Sequence, residues 1–287
     1  HKCIKLPNKN IRMDCISCNN AKLKFYQKKS NLELPVFYCD KCGLFVTGNS
    51  MNEISEKISE LYKKSYWDER TSEKSINSNF SDTDSEGKRR NWLSQFAYCK
   101  QFFKEKKDIL EIGSGAGQAT LWFENEGFNI IGIEPDPRNV KLINAILKKG
   151  SCINSKIENI TLEQEFDIIW MVHVLEHLVD PINSLIRIKK NMKLNSIFFI
   201  EVPNCENDEM LNASINENPH VYHFTKKSLE NIVKKAGFKI IKIDYFRPAT
   251  KKEGIQTKIS TKKFPYYPRI VTNGKNGRDL RIVLSSI

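Results

Sequence analysis

The chain has 287 residues, 40% apolar and 28% charged, which is the balance of a folded globular protein. Its densest apolar run, 197–200 with Val202, is strand-sized and far below the roughly 20 residues of a membrane span; the first residues are polar and basic rather than an export signal, so a cytoplasmic protein with no membrane partner is expected. The net charge of +12 admits nucleic acid or phosphorylated ligands, but the lysines are scattered, and their densest group (Lys251, Lys252, Lys258, Lys262, Lys263) reads as a loop, solvated or facing a phosphate.

Cys15-x-x-Cys18 and Cys39-x-x-Cys42 stand twenty residues apart, the spacing of a two-knuckle zinc ribbon. Each turn aims two sulfurs at one point, and two such turns close a tetrahedron with no position left for water, so the Zn²⁺ would be structural. The segments at 23–26 and 36–38 read as two short ribbon strands. Cys3, Cys99, Cys152 and Cys205 lack partner spacing and read as ordinary thiols.

Helical periodicity follows at 51–66, then Tyr66-Trp67, then a Ser-, Asn- and Asp-rich stretch at 71–87 that reads as a loop or lid. A second amphipathic helix is expected at 88–103, with Trp92 and Phe96 inward. From Asp108 onward strands (108–112, 129–134, 151–155, 166–172, 195–202) alternate with helices (117–127, 137–149, 181–192, 225–237), and two late strands are expected at 238–245 and 280–284. Apolar strands alternating with helices predict a mostly parallel sheet covered on both faces.

The first strand of that series runs into Glu111-Ile-Gly113-Ser-Gly115-Ala-Gly117 and then a helix, so backbone amides meet a ligand at the helix's positive end. The next strand ends in Glu134, seventeen residues after Gly117, placed to accept both hydroxyls of a ribose. A dinucleotide fingerprint needs a glycine where Gln118 stands, and no phosphate-loop Lys-Ser/Thr pair is present. The glycine loop, Glu134, the 167–171 strand, His173-x-x-Glu176-His177-x-x-Asp180-Pro181, Val202-Pro203-Asn204 and Pro219-His220-x-Tyr222-His223-Phe-Thr together resemble the class I S-adenosylmethionine-dependent methyltransferases of small molecules, over residues 105 to 245. That group includes ubiquinone-type O-methyltransferases and deoxysugar C-methyltransferases. The latter also carry a four-cysteine zinc domain, together with a further C-terminal domain for which this chain has no room.

The resemblance implies an α/β Rossmann-like fold with a seven-stranded, mostly parallel sheet. The expected division is a zinc ribbon at 1–48, a helical segment and lid at 49–104, and the catalytic domain at 105–287. S-adenosylmethionine would lie against Glu111, Gly113, Gly115, Gly117, Glu134, Glu158 and His173, with Tyr66 closing over it. Methyl transfer needs an aligned acceptor and, for a hydroxyl or an enolisable carbon, a base. His173, Glu176 and His177 would share one face if helical, and His220, Tyr222 and His223 fall in a loop expected to hold substrate; His223, His220 and His177 are the base candidates. The expected acceptor is a small metabolite such as a sugar, nucleotide-sugar or glycan precursor, bound by a monomer or homodimer. An RNA methyltransferase and a non-catalytic ribbon–Rossmann binding module are the alternatives, and a string match of His173-x-x-Glu176-His177 to a zinc-protease motif is rejected from its place at a nucleotide-binding strand end.

Overall fold

A computed structural model of the chain describes residues 14–18, 21–64, 88–217, 219–250, 252–253 and 268–286. Tyr66 and Trp67, the polar stretch at 71–87, Cys3 and most of the lysine group (251, 258, 262, 263) lie outside the described residues.

The chain enters through strands β1 (Lys24–Gln27), β2 (Val36–Tyr38) and β3 (Phe45–Thr47), an antiparallel meander. Helices α1 (Met51–Lys64) and α2 (Lys88–Phe103) follow. Next come β4 (Asp108–Ile112), α3 (Gln118–Asn125), β5 (Asn129–Glu134), α4 (Pro137–Ile146), β6 (Ser151–Asn154) and β7 (Phe166–Val172). The second half comprises α5 (Pro181–Lys189), β8 (Met192–Pro203), α6 (Asp208–Ile215), β9 (Tyr222–His223), α7 (Lys226–Lys235), β10 (Phe238–Arg247), β11 (Arg269–Val271) and β12 (Asp279–Ser286).

The large sheet has the order β11-β10-β12-β8-β7-β4-β5-β6. Pairings from β8 to β6 are parallel, and β12, β10 and β11 close the other edge antiparallel. The fold is the expected Rossmann-like one. The sheet has eight strands rather than seven because the three-residue β11 adds to the edge beyond β10. The chain runs outward from β4 to β6 and then returns to β7 on the opposite side of β4, so the topology reverses there and opens a crevice at the strands' carboxyl ends.

Helix starts follow local chemistry. Asp136 and Asp180 each accept a backbone N–H at the head of a helix whose next residue is proline, α4 and α5. Thr225 and Ser228 form a reciprocal capping box on α7. On the α2 side of the sheet, Trp92, Phe123, Trp170 and Phe199 pack as edge-on and tilted rings in a mostly apolar layer. Within it lies an ion pair with no solvent exposure, Arg281 to Glu201, from paired positions of β12 and β8. Arg281 also donates to Ser94 Oγ (2.8 Å) and Asn91 Oδ1 (2.7 Å), and Gln95 donates to Glu201 (2.8 Å), so α2 satisfies both charges.

The small sheet has the order β1-β2-β3-β9. Its fourth strand belongs to the catalytic half of the chain: Phe45 pairs with His223 and Val46 with Tyr222. The ribbon is therefore continuous in hydrogen bonding with the unit behind it.

Candidate active site

A cavity of about 1060 Å³ lies outside the carboxyl ends of β4, β5 and β7. On one side it is lined by Gly113, Gly115, Ala116, Glu134, Asn139 and a short 3₁₀ turn carrying Ile157, Glu158 and Asn159. Gly115 has φ +54 and nothing within 4 Å of where a Cβ would stand, so its side-chain position is open space against the cavity wall. Gly117 serves a different end. At φ +80, a Cβ there would stand 2.4 Å from Ile143 of α4, so this glycine lets α3 and α4 pack and does not line the cavity. Glu134, 2% exposed, accepts from Gly115 N–H (2.7 Å) and Asp136 N–H (2.9 Å), and burial raises its carboxyl to about 7. Beside it, Asn139 Oδ1 is buried with no hydrogen-bond partner, a polar atom awaiting a ligand.

Glu111, expected at the cofactor, lies beneath the loop and outside the cavity lining. It accepts a short hydrogen bond from Thr120 in α3, and burial raises it to about 7. Its carboxylate anchors the helix that follows the glycine turn.

The other side of the cavity carries His173, His177, Met210, Glu217, His220, Arg278 and Asp279. His173 follows the end of β7 with φ +52, a conformation unusual for a residue with a side chain. The 175–177 segment is a 3₁₀ turn, so His173, Glu176 and His177 do not share a helical face as expected. The bend instead turns the His173 ring back, with Nδ1 3.3 Å from Glu176 and Nε2 3.3 Å from Glu201. The ring is partly open to solvent, and the two carboxylates raise its pKa well above the usual histidine value. Glu176 is fully buried, and against that burial His173 and the neighbouring imidazoles hold it at about 2. Glu201 is likewise held at about 2, by Arg281 and His173 against burial. Asp279 faces the same cluster, where burial and the nearby Glu201 lift it to about 6.

His177 and His220 line the cavity, their rings 4.6 Å apart in a T-shape. With Glu176 they bring one ligand-type atom each within 4.8 Å, a carboxylate and two imidazoles that suit either proton transfer or a divalent ion. His223 is not in this wall. It sits in β9 with no exposure, Nε2 3.0 Å from Thr47 Oγ1 and Nδ1 2.8 Å from Ser214 Oγ, and burial lowers it to about 3. The substrate loop expected around it is a buried strand, because pairing with β3 covers it. His223 is therefore not placed to act as the expected base, whereas His220, three residues earlier, lines the cavity.

The four ribbon cysteines converge, with their sulfurs within 4.8 Å of one another and Cys15 Sγ 3.6 Å from Cys42 Sγ. The hydrogen bond between the two sulfurs holds Cys42 down at about 4 and, with burial, pushes Cys15 up. Gly43 follows at φ +72, where a Cβ would collide with Thr225 at 2.8 Å, so the second knuckle lies hard against the α7 cap. Thr225 Oγ1 donates to Cys42 O (2.5 Å), and Ser17 Oγ donates to Ser228 O (3.2 Å).

Arg278, Asp279, Met210 and Glu217 were not singled out in the sequence. They reach the cavity from the start of β12 and from α6 and the turn after it, far along the chain from the glycine loop. The pairing of Asp279 with Pro203 across β12 and β8 is what brings the first two there, and no sequence motif announces it.

Among curated proteins, this chain is 28% identical over 120 residues to a ubiquinone biosynthesis O-methyltransferase of Rhodopseudomonas palustris, covering 38% of this chain and 47% of that protein. It is 23% identical over 103 residues to the like-named protein of Rickettsia akari, covering 34% and 41% respectively. The chain thus spans less than half the length of these relatives. Among solved structures, a SAM-dependent methyltransferase of Thermotoga maritima matches with TM-score 0.52 and 18% identity over 83% of this chain and all of that one. One from Mesorhizobium loti matches with TM-score 0.52 and 12% identity over 67% of this chain and 97% of that one. Those likenesses concern the fold. A family model described as a methyltransferase domain matches residues 85–243, more than half of the chain and the span that supplies most of the crevice lining, and the chain belongs to that methyltransferase family.

Proposed function

We propose that the chain transfers the methyl group of S-adenosylmethionine to an oxygen or carbon of a small hydroxylated metabolite, of the sugar or nucleotide-sugar kind, and that its ribbon holds one structural Zn²⁺. The observation that carries this reading is the two-sided cavity. One wall has an open glycine turn, a buried carboxylate and an orphaned amide oxygen; the other has imidazoles and carboxylates.

In this reading Glu134 accepts the ribose hydroxyls, Ile157 and Glu158 border the adenine, and Gly113 and Gly115 let the methionine part lie against backbone. The bound cofactor supplies an electrophilic methyl on a sulfonium. The protein's own task is to hold the acceptor in line with it and to remove a proton. His220 and His177 are the groups placed for that removal, and His173, kept cationic between Glu176 and Glu201, offers a fixed positive charge to an acceptor oxygen. A wall with Glu217, Arg278 and Asp279 favours a hydroxyl-rich acceptor over an apolar one. Four clustered thiols without an open position suit tetrahedral zinc.

The test is titration calorimetry with S-adenosylhomocysteine, followed by transfer of labelled methyl to a panel of nucleotide sugars, free sugars, catechols and short RNAs. Heat on binding with label in a sugar is the expected outcome. No heat at millimolar ligand would sink the cofactor reading, and label confined to RNA would replace the acceptor class.

A further inference from the structure

The Val202-Pro203-Asn204 segment closes β8, and the methyl-transfer reading gives its last residue no task. Asn204 has no exposure, and all its polar groups are engaged. Its backbone N–H donates to Arg278 O at 2.8 Å, and its backbone oxygen accepts from Asn207 N–H. Its side-chain amide donates to Gly274 O at 2.6 Å and to Gly277 O at 2.9 Å, while Oδ1 accepts from Glu206 N–H at 3.3 Å. The two glycine carbonyls belong to the connection between β11 and β12, a 3₁₀ turn at Gly274–Asn276 whose first N–H is capped by Asn273. Gly277 leaves no room for a side chain, since a Cβ there would stand 2.8 Å from Tyr245 Cβ and 3.2 Å from Asn204 Nδ2. Arg278 N–H donates to Phe246 O at 2.6 Å. The backbone of Arg278 is thus tied to β10 on one side and to the end of β8 on the other, and the anchorage holds it at the cavity wall.

The side chain so presented is open. Of the three arginines on this edge of the sheet, two are closed by protein partners. Arg247 sets Nη1 and Nη2 on Glu253 at 2.9 and 2.7 Å, and Arg281 is spent on Glu201, Ser94 and Asn91. Arg278 is exposed, and among the described residues its guanidinium makes one hydrogen-bond contact, from Nε to Met210 Sδ at 3.2 Å. A thioether is a weak acceptor, so the Nη groups remain for a stronger one. The neighbouring Asp279 sends its carboxylate to His173 and Glu201, within 4.8 Å of both. Glu217, on the same wall, forms no ion pair with Arg278. A planar fork of donors, matched to two oxygens of a carboxylate or phosphate, therefore lines the cavity on the wall that carries His220.

We propose that Arg278 is a specificity-determining residue that binds an oxyanion of the methyl acceptor, either the phosphate of a sugar phosphate or nucleotide sugar or the carboxylate of an acidic sugar, and that Asn204 is the positioning residue that holds the turn presenting it. What the anion belongs to rests on the methyl-transfer reading; the anion site itself does not.

The experiment is calorimetric titration of the full chain, with and without S-adenosylhomocysteine, at low and fixed ionic strength. The probes are uridine diphosphate, glucose 1-phosphate, glucuronate and neutral glucose. At least one anionic probe is expected to bind wild type more tightly than glucose does. Arg278→Gln should weaken that probe about tenfold, the scale of a lost charge-assisted pair, and leave S-adenosylhomocysteine at its wild-type affinity. A loss confined to the two phosphates assigns phosphate, and one confined to glucuronate assigns carboxylate. Asn204→Ala should weaken the same probe in the wild-type background and add nothing in the Arg278→Gln background. A loss that adds in both backgrounds would overturn the role of Asn204, because it would then act on folding alone. Because Arg278 is exposed, its replacement leaves the core untouched and decides the anion site even should the Asn204 variant not fold. The proposal is overturned if no anionic probe binds better than glucose, or if Arg278→Gln binds the anions as wild type does. Absent heat with S-adenosylhomocysteine would instead sink the cofactor reading, and the titrations without it would still judge Arg278.

Discussion

Glu134 and His220 line one cavity, but the chain brings them there by opposite means. Glu134 ends a strand that follows the glycine turn by one helix, and its hydrogen bonds go to Gly115 and Asp136, both within twenty residues. His220 is held by Ser214, then His223, then Thr47, which lies 173 residues earlier at the end of β3 in the small sheet. The proposed cofactor side is thus local, built from consecutive βα units. The proposed acceptor side is a tertiary assembly of ribbon, β9, α6 and the start of β12. The comparison implies that the two sides can be damaged separately.

The largest expected separation comes from the cysteines. Stripping metal with a chelator under reducing conditions, or replacing Cys39 with Ser, should unfold the ribbon, since binding a structural zinc is worth on the order of 10 kcal/mol to such a unit. Hydrogen exchange at Tyr222 and His223, whose strand pairs with β3, should rise, while exchange in β4 and β5 holds. Protection lost equally on both sides would break the proposed independence. Next in size is Glu134→Ala. If Glu134 accepts the ribose hydroxyls as proposed, losing this buried carboxylate should weaken S-adenosylhomocysteine by about a hundredfold without changing exchange at β9. An affinity within a few-fold of wild type would remove Glu134 from the ribose site.

This contrast explains what was legible in the sequence. Strands β4, β5 and β7 were expected at the bounds the structure shows, because a short apolar run that stops at a glycine, a proline or a polar residue (Gly113, Pro135, His173) carries both its extent and its stop signal in a few residues. The cysteine quartet was legible for the same reason, since paired spacing encodes a shared point. The buried role of His223 was not, because β9 is a two-residue strand whose partner lies in the ribbon, and a two-residue strand has no period to read. Asp279 was missed because only the β12–β8 register carries it to the cavity. Glu111 was misplaced for a subtler reason: on a strand, alternate residues face opposite sides, and the position fixed by motif is turned inward toward Thr120.

A smaller effect follows from the charge state of Glu134. Its carboxyl is raised to about 7 by burial, whereas ribose hydroxyls donate to the ionised form. Below that pH the ligand must first displace a proton, so binding weakens as pH falls and levels off above it. S-adenosylhomocysteine affinity should drop by up to about tenfold per pH unit between 7 and 5, and Glu134→Gln should flatten that limb. A limb that persists in the glutamine variant would assign the proton to another group, Asp279 being the nearest in range at about 6.

The smallest expected effect sits on the seam itself. Thr225 caps α7 through Ser228 N–H and donates from the same hydroxyl to Cys42 O. Thr225→Val keeps the shape but removes both bonds, at a cost of about 1–2 kcal/mol from the cap, with the carbonyl left unpaired. Because the seam belongs to the acceptor side, S-adenosylhomocysteine affinity should stay at the wild-type value while the midpoint of denaturant unfolding falls. Thr225→Ser should recover most of the loss, since its hydroxyl can make the same two bonds. If the valine variant weakened the cofactor as well, the two sides would share a mechanical path through α7, and the separation drawn from Glu134 and His220 would hold for the sequence but not for the folded protein.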